Sequence, residues 1–178
     1  MNICVFCSAH DAGGTYTNAG RELARLVGTQ GHSLVWGGSN VGTMKEIADA
    51  AEAAGATLIG VSVEAYRHNA RPGVADMTVA PNLGARKEMM LRRADALVAL
   101  PGGFGTLDEI TEVLELKKQD AHAKPVVFLN IDGFYDGMRM QLERMDREGF
   151  LPKRLTEYLF FAETAEEAMR YIEKHGSN

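Results

Sequence analysis

The chain has 178 residues, with 19 Lys and Arg against 24 Asp and Glu and a formal net charge of -5. At about 150 residues per domain this is one domain, 1–178, large enough to bury a core without disulfides. Such a chain is repelled at long range by polyphosphates and anionic lipid, so no nucleic acid and no membrane is expected as a partner, and 46% hydrophobic against 24% charged residues excludes a disordered chain.

The first fourteen residues, MNICVFCSAHDAGG, are apolar for only a few positions and carry no basic leader, so neither a signal nor a transit peptide is expected. No run approaches the ~18 apolar residues that span a bilayer. A cytoplasmic protein is the expectation. Cys4 and Cys7 stand in the C-x-x-C spacing of redox and zinc sites. Ile3–Cys7 reads as a buried strand, however, in which residues three apart face opposite sides, and zinc would need two more ligands. A structural role for both thiols is expected, and no metal.

Further apolar runs suited to strands follow at Ser33–Trp36, Thr57–Val63, Met77–Ala80, Ala96–Leu100 and Val126–Asn130. Between them lie helical stripes: Tyr16, Ala19, Leu23, Leu26 and Val27; Met44, Ile47, Ala48, Ala51 and Ala54; Leu107, Ile110, Val113 and Leu114. Glu64–Val74, with Arg67, His68, Asn69, Arg71, Pro72 and Gly73, interrupts this rhythm as a polar loop. From Phe134 to Asn178 the pattern is mostly helical, with stripes at Met138, Leu142 and Met145 and at Ala165, Ala168, Met169 and Ile172, and Thr164–Glu167 spells a capping box. Strand and helix alternate with short links, and the strands are apolar on both faces. This predicts an α/β fold: a Rossmann-like, doubly wound parallel sheet with helices on both faces.

In such sheets ligands bind beyond the carboxyl ends of the strands, where glycine lets a backbone approach closely and helix N-termini attract anions. Gly13 and Gly14 follow the first strand, Gly37, Gly38 and Gly42 the second, and Gly102, Gly103 and Gly105 the one ending at Leu100. One such turn would be only a turn; three on one predicted edge point to a phosphate or nucleotide pocket. G-x-x-x-x-G-K-[ST] is absent, and so are G-x-G-x-x-G and an acidic end to the second strand, which argues against a P-loop hydrolase and a dehydrogenase.

The most specific segment is Pro101-Gly102-Gly103-Phe104-Gly105-Thr106-Leu107-Asp108-Glu109, preceded by Arg86-Lys87-Glu88-Met89-Met90. With its P-G-G-x-G-T-x-x-E and R-K-x-x-M, the chain resembles the LOG family of cytokinin-activating phosphoribohydrolases, often catalogued as lysine decarboxylase-like. Cys7-Ser8 and Gly37–Gly42 match that family's earlier turns in character and order. The resemblance implies a Rossmann-like homodimer that hydrolyses the N-glycosidic bond of a nucleoside 5'-monophosphate, AMP or an N6-substituted AMP, to free base and ribose 5-phosphate without a cofactor. It implies Arg86 and Glu109 as the catalytic pair. Nothing in the residues identifies a cofactor-bearing lysine or a pyridinium partner for decarboxylation.

Cleaving a ribose–purine bond builds positive charge on the sugar, so a carboxylate beside C1' and an activated water are required, as in O-glycoside hydrolysis. Glu109 suits that role as stabiliser, water-orienting group or nucleophile. Thr106-x-x-Glu109 is equally a capping box, in which the glutamate would only bind a backbone N–H. Arg86 offers a permanent charge and planar fork for a phosphate or leaving base, but Arg92 and Arg93 nearby look alike by sequence. Gly102, Gly103, Gly105 and Thr106 read as a phosphate cradle at a helix start. Phe104 and Leu107 belong to the same substrate-binding turn, Asp108 faces ribose hydroxyls, Lys87 binds substrate, and Ser8 and Gly38 line the other strand ends. Met89, Met90 and Leu91 read as core, and His10 with Asp11 as loop residues in preference to an acid–base couple.

Where plant-type members carry a P-x-E-[IL]-T-G-like segment, this chain has Val63-Glu64-Ala65-Tyr66-Arg67-His68, and Ser8–Gly14 is not the usual G-S-S turn. The catalytic class is thus better supported than specificity for an isopentenylated adenine. The competing reading is a non-catalytic carrier of a nucleotide or phosphorylated cofactor, such as the molybdenum cofactor, on the same fold.

Overall fold

The computed structural model describes residues 1–10 and 13–176. Seven strands form one parallel sheet: β1 (Asn2–Phe6), β2 (Ser33–Trp36), β3 (Thr57–Val63), β4 (Asp76–Ala80), β5 (Ala96–Ala99), β6 (Val126–Leu129) and β7 (Phe160–Ala162). Their order is β4-β3-β2-β1-β5-β6-β7. The chain winds outward from β1 to one edge, then returns to β5 and winds to the other. The reversal lies between β1 and β5, the position at which open α/β sheets part to admit a ligand.

Side-chain alternation along the strands sorts the core into two layers. Ile3, Val5 and Cys7 pack with Leu34, Trp36, Val98 and Leu100 under α1 (Gly14–Thr29), α2 (Gly42–Ala53) and α7 (Ala165–His175). Cys4 and Phe6 face the other way, with Val35, Val61, Leu97 and Phe128, against α3 (Leu83–Arg93) and α4 (Phe104–Lys118). The two thiols are thus free, buried and on opposite faces of the sheet, as their spacing within a strand requires. Met90 is core and Met89 and Leu91 pack against it. Among the described residues no group of three or more His, Cys, Asp or Glu could hold a metal, and no helix is long and apolar enough to cross a membrane.

Three details differ from the sequence reading. The tail is not only helical: α5 (Asp136–Arg147) and the single turn α6 (Leu155–Tyr158) are followed by β7, whose three residues are too few for a period to register. Within the polar stretch, Glu64–Asn69 coils as a 3-10 segment before edge strand β4. At Thr164 only half of the capping box forms: its hydroxyl accepts from the Glu167 N–H at 3.2 Å, but the Glu167 carboxylate reaches the N–H of Glu163, not of Thr164.

Helices α1 and α2 lie so close that a Cβ on Gly28 would stand 2.6 Å from the Ala54 Cβ and 2.8 Å from its carbonyl. Neither obstacle can swing away. Gly28→Ala would gain about 1 kcal/mol of helix propensity, but overpacking against rigid neighbours costs about 1–3 kcal/mol. We expect a melting temperature lowered by a few degrees, read by calorimetry; a rise would show that the helices can slide apart.

Candidate active site

The carboxyl ends of β1, β2, β3 and β5 open into a cleft of about 560 Å³. One wall comes from the turn after β1 (Cys7 to His10) and the one after β2 (Gly37, Ser39, Val41), with Met44 behind them. A second comes from the end of β3 and its 3-10 extension, through Ser62, Val63, Tyr66 and Asn69. The floor carries Arg86, Glu109 and the start of α4 from Gly103 to Thr106. Gly103 caps α4 without a side-chain hydrogen bond, so the first N–H groups of this helix, with the positive end of its dipole, face the cleft.

Arg86 and Glu109 form the charged centre. An Arg86 NH1 donates to Glu109 Oε1 at 2.9 Å, and its Nε donates to the Val61 carbonyl at 2.9 Å. Both residues are buried, at 9% and 6% exposure. Burial pushes the Glu109 carboxyl up from its ordinary 4.5 to about 7; the Arg86 guanidinium pulls the other way, and the loss of water outweighs it. Burial, followed by the Glu109 charge, also drives the Cys7 thiol well above its usual range, which leaves it a neutral wall.

The Thr106-x-x-Glu109 capping box is not what forms. Helix α4 starts at Phe104, placing Thr106 inside the first turn and Glu109 one turn further on, where its carboxylate meets Arg86. The Thr106 hydroxyl is itself buried with no hydrogen-bond partner among the described residues. Two glycines make this packing possible. A Cβ on Gly37 would lie 2.0 Å from Arg86 NH2, and one on Gly102 would lie 2.2 Å from Thr106 Oγ1.

The structure thus brings Ser8, Arg86, Gly103, Phe104, Gly105, Thr106 and Glu109 to one cleft. It sets the remaining expected residues around it. Gly38, at φ +71°, packs on β3 behind the cleft wall, Gly102 lies beneath Thr106 and Leu107 packs into the core. Lys87 pairs with Asp108 at 2.9 Å and with Glu112, on the side of α3 and α4 away from the cleft lining. His10 lines the cleft; Asp11, its suggested partner, lies outside the described residues. Met44, Ser62, Asn69 and Leu83 also line the cleft, although no sequence motif marks them. The interrupted rhythm after β3 was the available signal for Asn69.

Residues 44–172 match the family model described as possible lysine decarboxylase. The cytokinin riboside 5'-monophosphate phosphoribohydrolase LOG of Oryza sativa subsp. japonica is 35% identical over 97% of this chain and 73% of its own length. A probable enzyme of the same description from that plant is 37% identical over 84% of this chain and 67% of its own. Among solved structures, the molybdenum cofactor binding protein of Rippkaea orientalis superposes with a TM-score of 0.76 at 24% identity, over 97% of this chain and 95% of that one. The molybdenum cofactor carrier protein of Chlamydomonas reinhardtii does so with 0.76 at 23%, over 99% and 98%. At that identity the likeness shows a shared fold. The match over most of the chain, joined to the intact motif at Pro101–Glu109, means that the chain belongs to the LOG family, the group whose model is described as possible lysine decarboxylase.

Proposed function

We propose that the protein hydrolyses the N-glycosidic bond of a purine nucleoside 5'-monophosphate, AMP or an N6-substituted AMP, to free base and ribose 5-phosphate. The observation that carries this reading is the buried Arg86–Glu109 pair beside the uncapped N-terminus of α4. A phosphate suits that helix end: the N–H groups of Gly103, Phe104 and Gly105 and the unpartnered Thr106 hydroxyl supply donors, and the dipole favours the anion. Seating the phosphate there sets the ribose one helical turn along, towards Glu109.

As the C1'–N bond lengthens, the sugar becomes cationic. Glu109 Oε1 is held by Arg86, which leaves Oε2 to face that charge and to align the water that completes hydrolysis. Two of the five Arg86 N–H groups are spent on Glu109 and Val61, so the guanidinium can also polarise the departing base. Decarboxylation through a lysine-bound cofactor finds no counterpart here, since no lysine is among the described residues lining the cleft. A homodimer working in the cytoplasm is part of the same proposal, and sedimentation of the purified chain tests its assembly.

Incubation with AMP and with isopentenyl-AMP, followed by chromatography of the free base, tests the activity. Glu109→Gln keeps the shape and one acceptor but loses the charge, and base release should fall by about 10²-fold or more. The folded wild type releasing no base from either nucleotide, while retaining a bound nucleotide or phosphorylated cofactor through purification, would favour the carrier reading instead.

The raised Glu109 value also sets a pH dependence. The ionised carboxylate is the active form, so kcat/KM should fall as pH drops through about 7. Stability runs the opposite way. Between 4.5 and about 7 the unfolded chain ionises this carboxyl while the folded chain keeps it protonated, so its contribution to stability is lost as pH rises across that window. The difference in unfolding free energy between wild type and Glu109→Gln, measured with urea at several pH values, should therefore shrink from pH 4.5 to 7 and then level off. A flat difference would place the Glu109 value at the ordinary one.

A further inference from the structure

Beyond Val63, the second wall of the cleft is not built into the core. Glu64–Asn69 follows β3 as a 3-10 segment with no buried residue, and Tyr66 within it is 56% exposed, yet Tyr66 and Asn69 line the cleft. What holds this segment in place is polar. The Asn40 N–H donates to the Asn69 carbonyl at 2.7 Å, the Arg71 N–H donates to the Gly38 carbonyl at 2.8 Å, and Ser39 and Ala70 form an isolated antiparallel bridge. Over these bonds lies the Arg71 guanidinium. It contacts Asp49 at 2.5 Å and Glu52 at 2.8 Å on α2, and Asn40 Oδ1 at 3.3 Å in the turn after β2.

We propose that Arg71 is a positioning residue for substrate recognition: it ties the Glu64–Asn69 wall to α2 and the Gly37–Asn40 turn, and so fixes the side of the cleft that meets the base and sugar. This rests on reading the cleft as a nucleotide site. Three features carry it. The Arg71 side chain is only 13% exposed although its partners are 39% and 60% exposed, so the fork is packed between the elements it joins. A planar fork with five donors bonds both carboxylates and the amide in one fixed geometry, which a compact ammonium on a flexible stem does not pre-organise. The turn it secures also contains Gly37, whose close approach to Arg86 ties the wall to the catalytic pair.

The chain's one tryptophan reports on this clasp independently of activity. Trp36 is fully buried, and its Nε1 donates to the Ser39 carbonyl of the same turn at 3.3 Å. Arg71→Met keeps the stem and removes the fork. In the full chain we expect KM for AMP to rise roughly fivefold or more, the scale of a lost charge-assisted contact, with kcat within about twofold and Trp36 emission moved to longer wavelength. Arg71→Lys should recover part of the KM. Glu52→Lys, an exposed substitution that places a like charge against Arg71, should raise KM in the same direction and serves if Arg71→Met does not fold. An unchanged KM in folded Arg71→Met and Glu52→Lys, or a fall in kcat at constant KM, overturns the proposal. If the wild type releases no base, the reading of the site fails by itself, and Trp36 emission still decides whether Arg71 holds the wall: a shift supports the clasp and an unchanged spectrum rejects it.

Discussion

Two opposite charges lie beneath the cleft, and most of the local architecture can be understood as what it takes to keep them there. Removing a guanidinium and a carboxylate from water costs several kcal/mol for each ion, and their attraction repays this only with good geometry and further hydrogen bonds. The Arg86 Nε therefore takes the Val61 carbonyl, and NH1 takes Glu109. Gly37 leaves out the Cβ that would occupy the guanidinium's place. Each partner arrives from a different part of the chain, Arg86 from the helix before β5 and Glu109 from the helix after it. The sheet order makes this meeting possible, because β5 returns to the centre beside β1 and brings the start of α4 next to the turns after β1 and β2.

The solvation of the pair is unequal in its effect. Guanidinium stays charged at any accessible pH, whereas the carboxyl is poised near neutrality. An unoccupied site thus balances desolvation against ion pairing. A cationic sugar brought beside Glu109 would tip that balance towards the carboxylate, the direction in which stabilisation of a developing charge must act. The attraction for a phosphate is likewise local. Lys87, the nearest candidate for a second cation, is neutralised by Asp108 and Glu112. An overall charge of -5 is therefore compatible with the proposed phosphate site, whose donors are a helix end and a hydroxyl.

Much of this was legible in the residues, and the exceptions have identifiable causes. Near-continuous apolar runs separated by helical stripes reveal the doubly covered sheet, since both periods are consequences of burial. Of the three glycine turns, those after β2 and β5 contribute Gly37, Gly103 and Gly105 to the cleft, whereas Gly13 and Gly14 begin α1 and are not among its lining residues. Arg86 could not be told from Arg92 and Arg93 by composition, but it precedes the core residues Met90 and Ala94 by four and eight positions, on the buried stripe of α3. A charge placed on an apolar stripe is a signal that position carries and residue type does not. Thr106-x-x-Glu109 misleads for a related reason: a capping box requires its first residue outside the helix, and α4 starts two residues before Thr106 because the Gly102-Gly103 turn ends earlier than spacing reveals. β7 is three residues long and escapes any periodicity.

Least legible was the wall from Glu64 to Arg71, since its position depends on hydrogen bonds and ion pairs that leave no periodic trace. Its mode of attachment has a consequence for how the site can diverge. Arg86 and Glu109 sit on α3 and α4, packed on one face of the sheet, where altering a neighbour disturbs close packing. The wall has no buried residue, so substitutions within it leave the core untouched and only move the surface that meets a ligand. The departures from the plant-type pattern fall in this segment and in the turn after β1, while Pro101–Glu109 is intact. Under the proposed function, bond-breaking chemistry and the choice of base are carried by parts of the molecule stabilised by different forces, apolar burial for the first and a polar clasp centred on Arg71 for the second. A sequence can keep one while changing the other, which is why membership of the family constrains the reaction more tightly than it constrains the substrate.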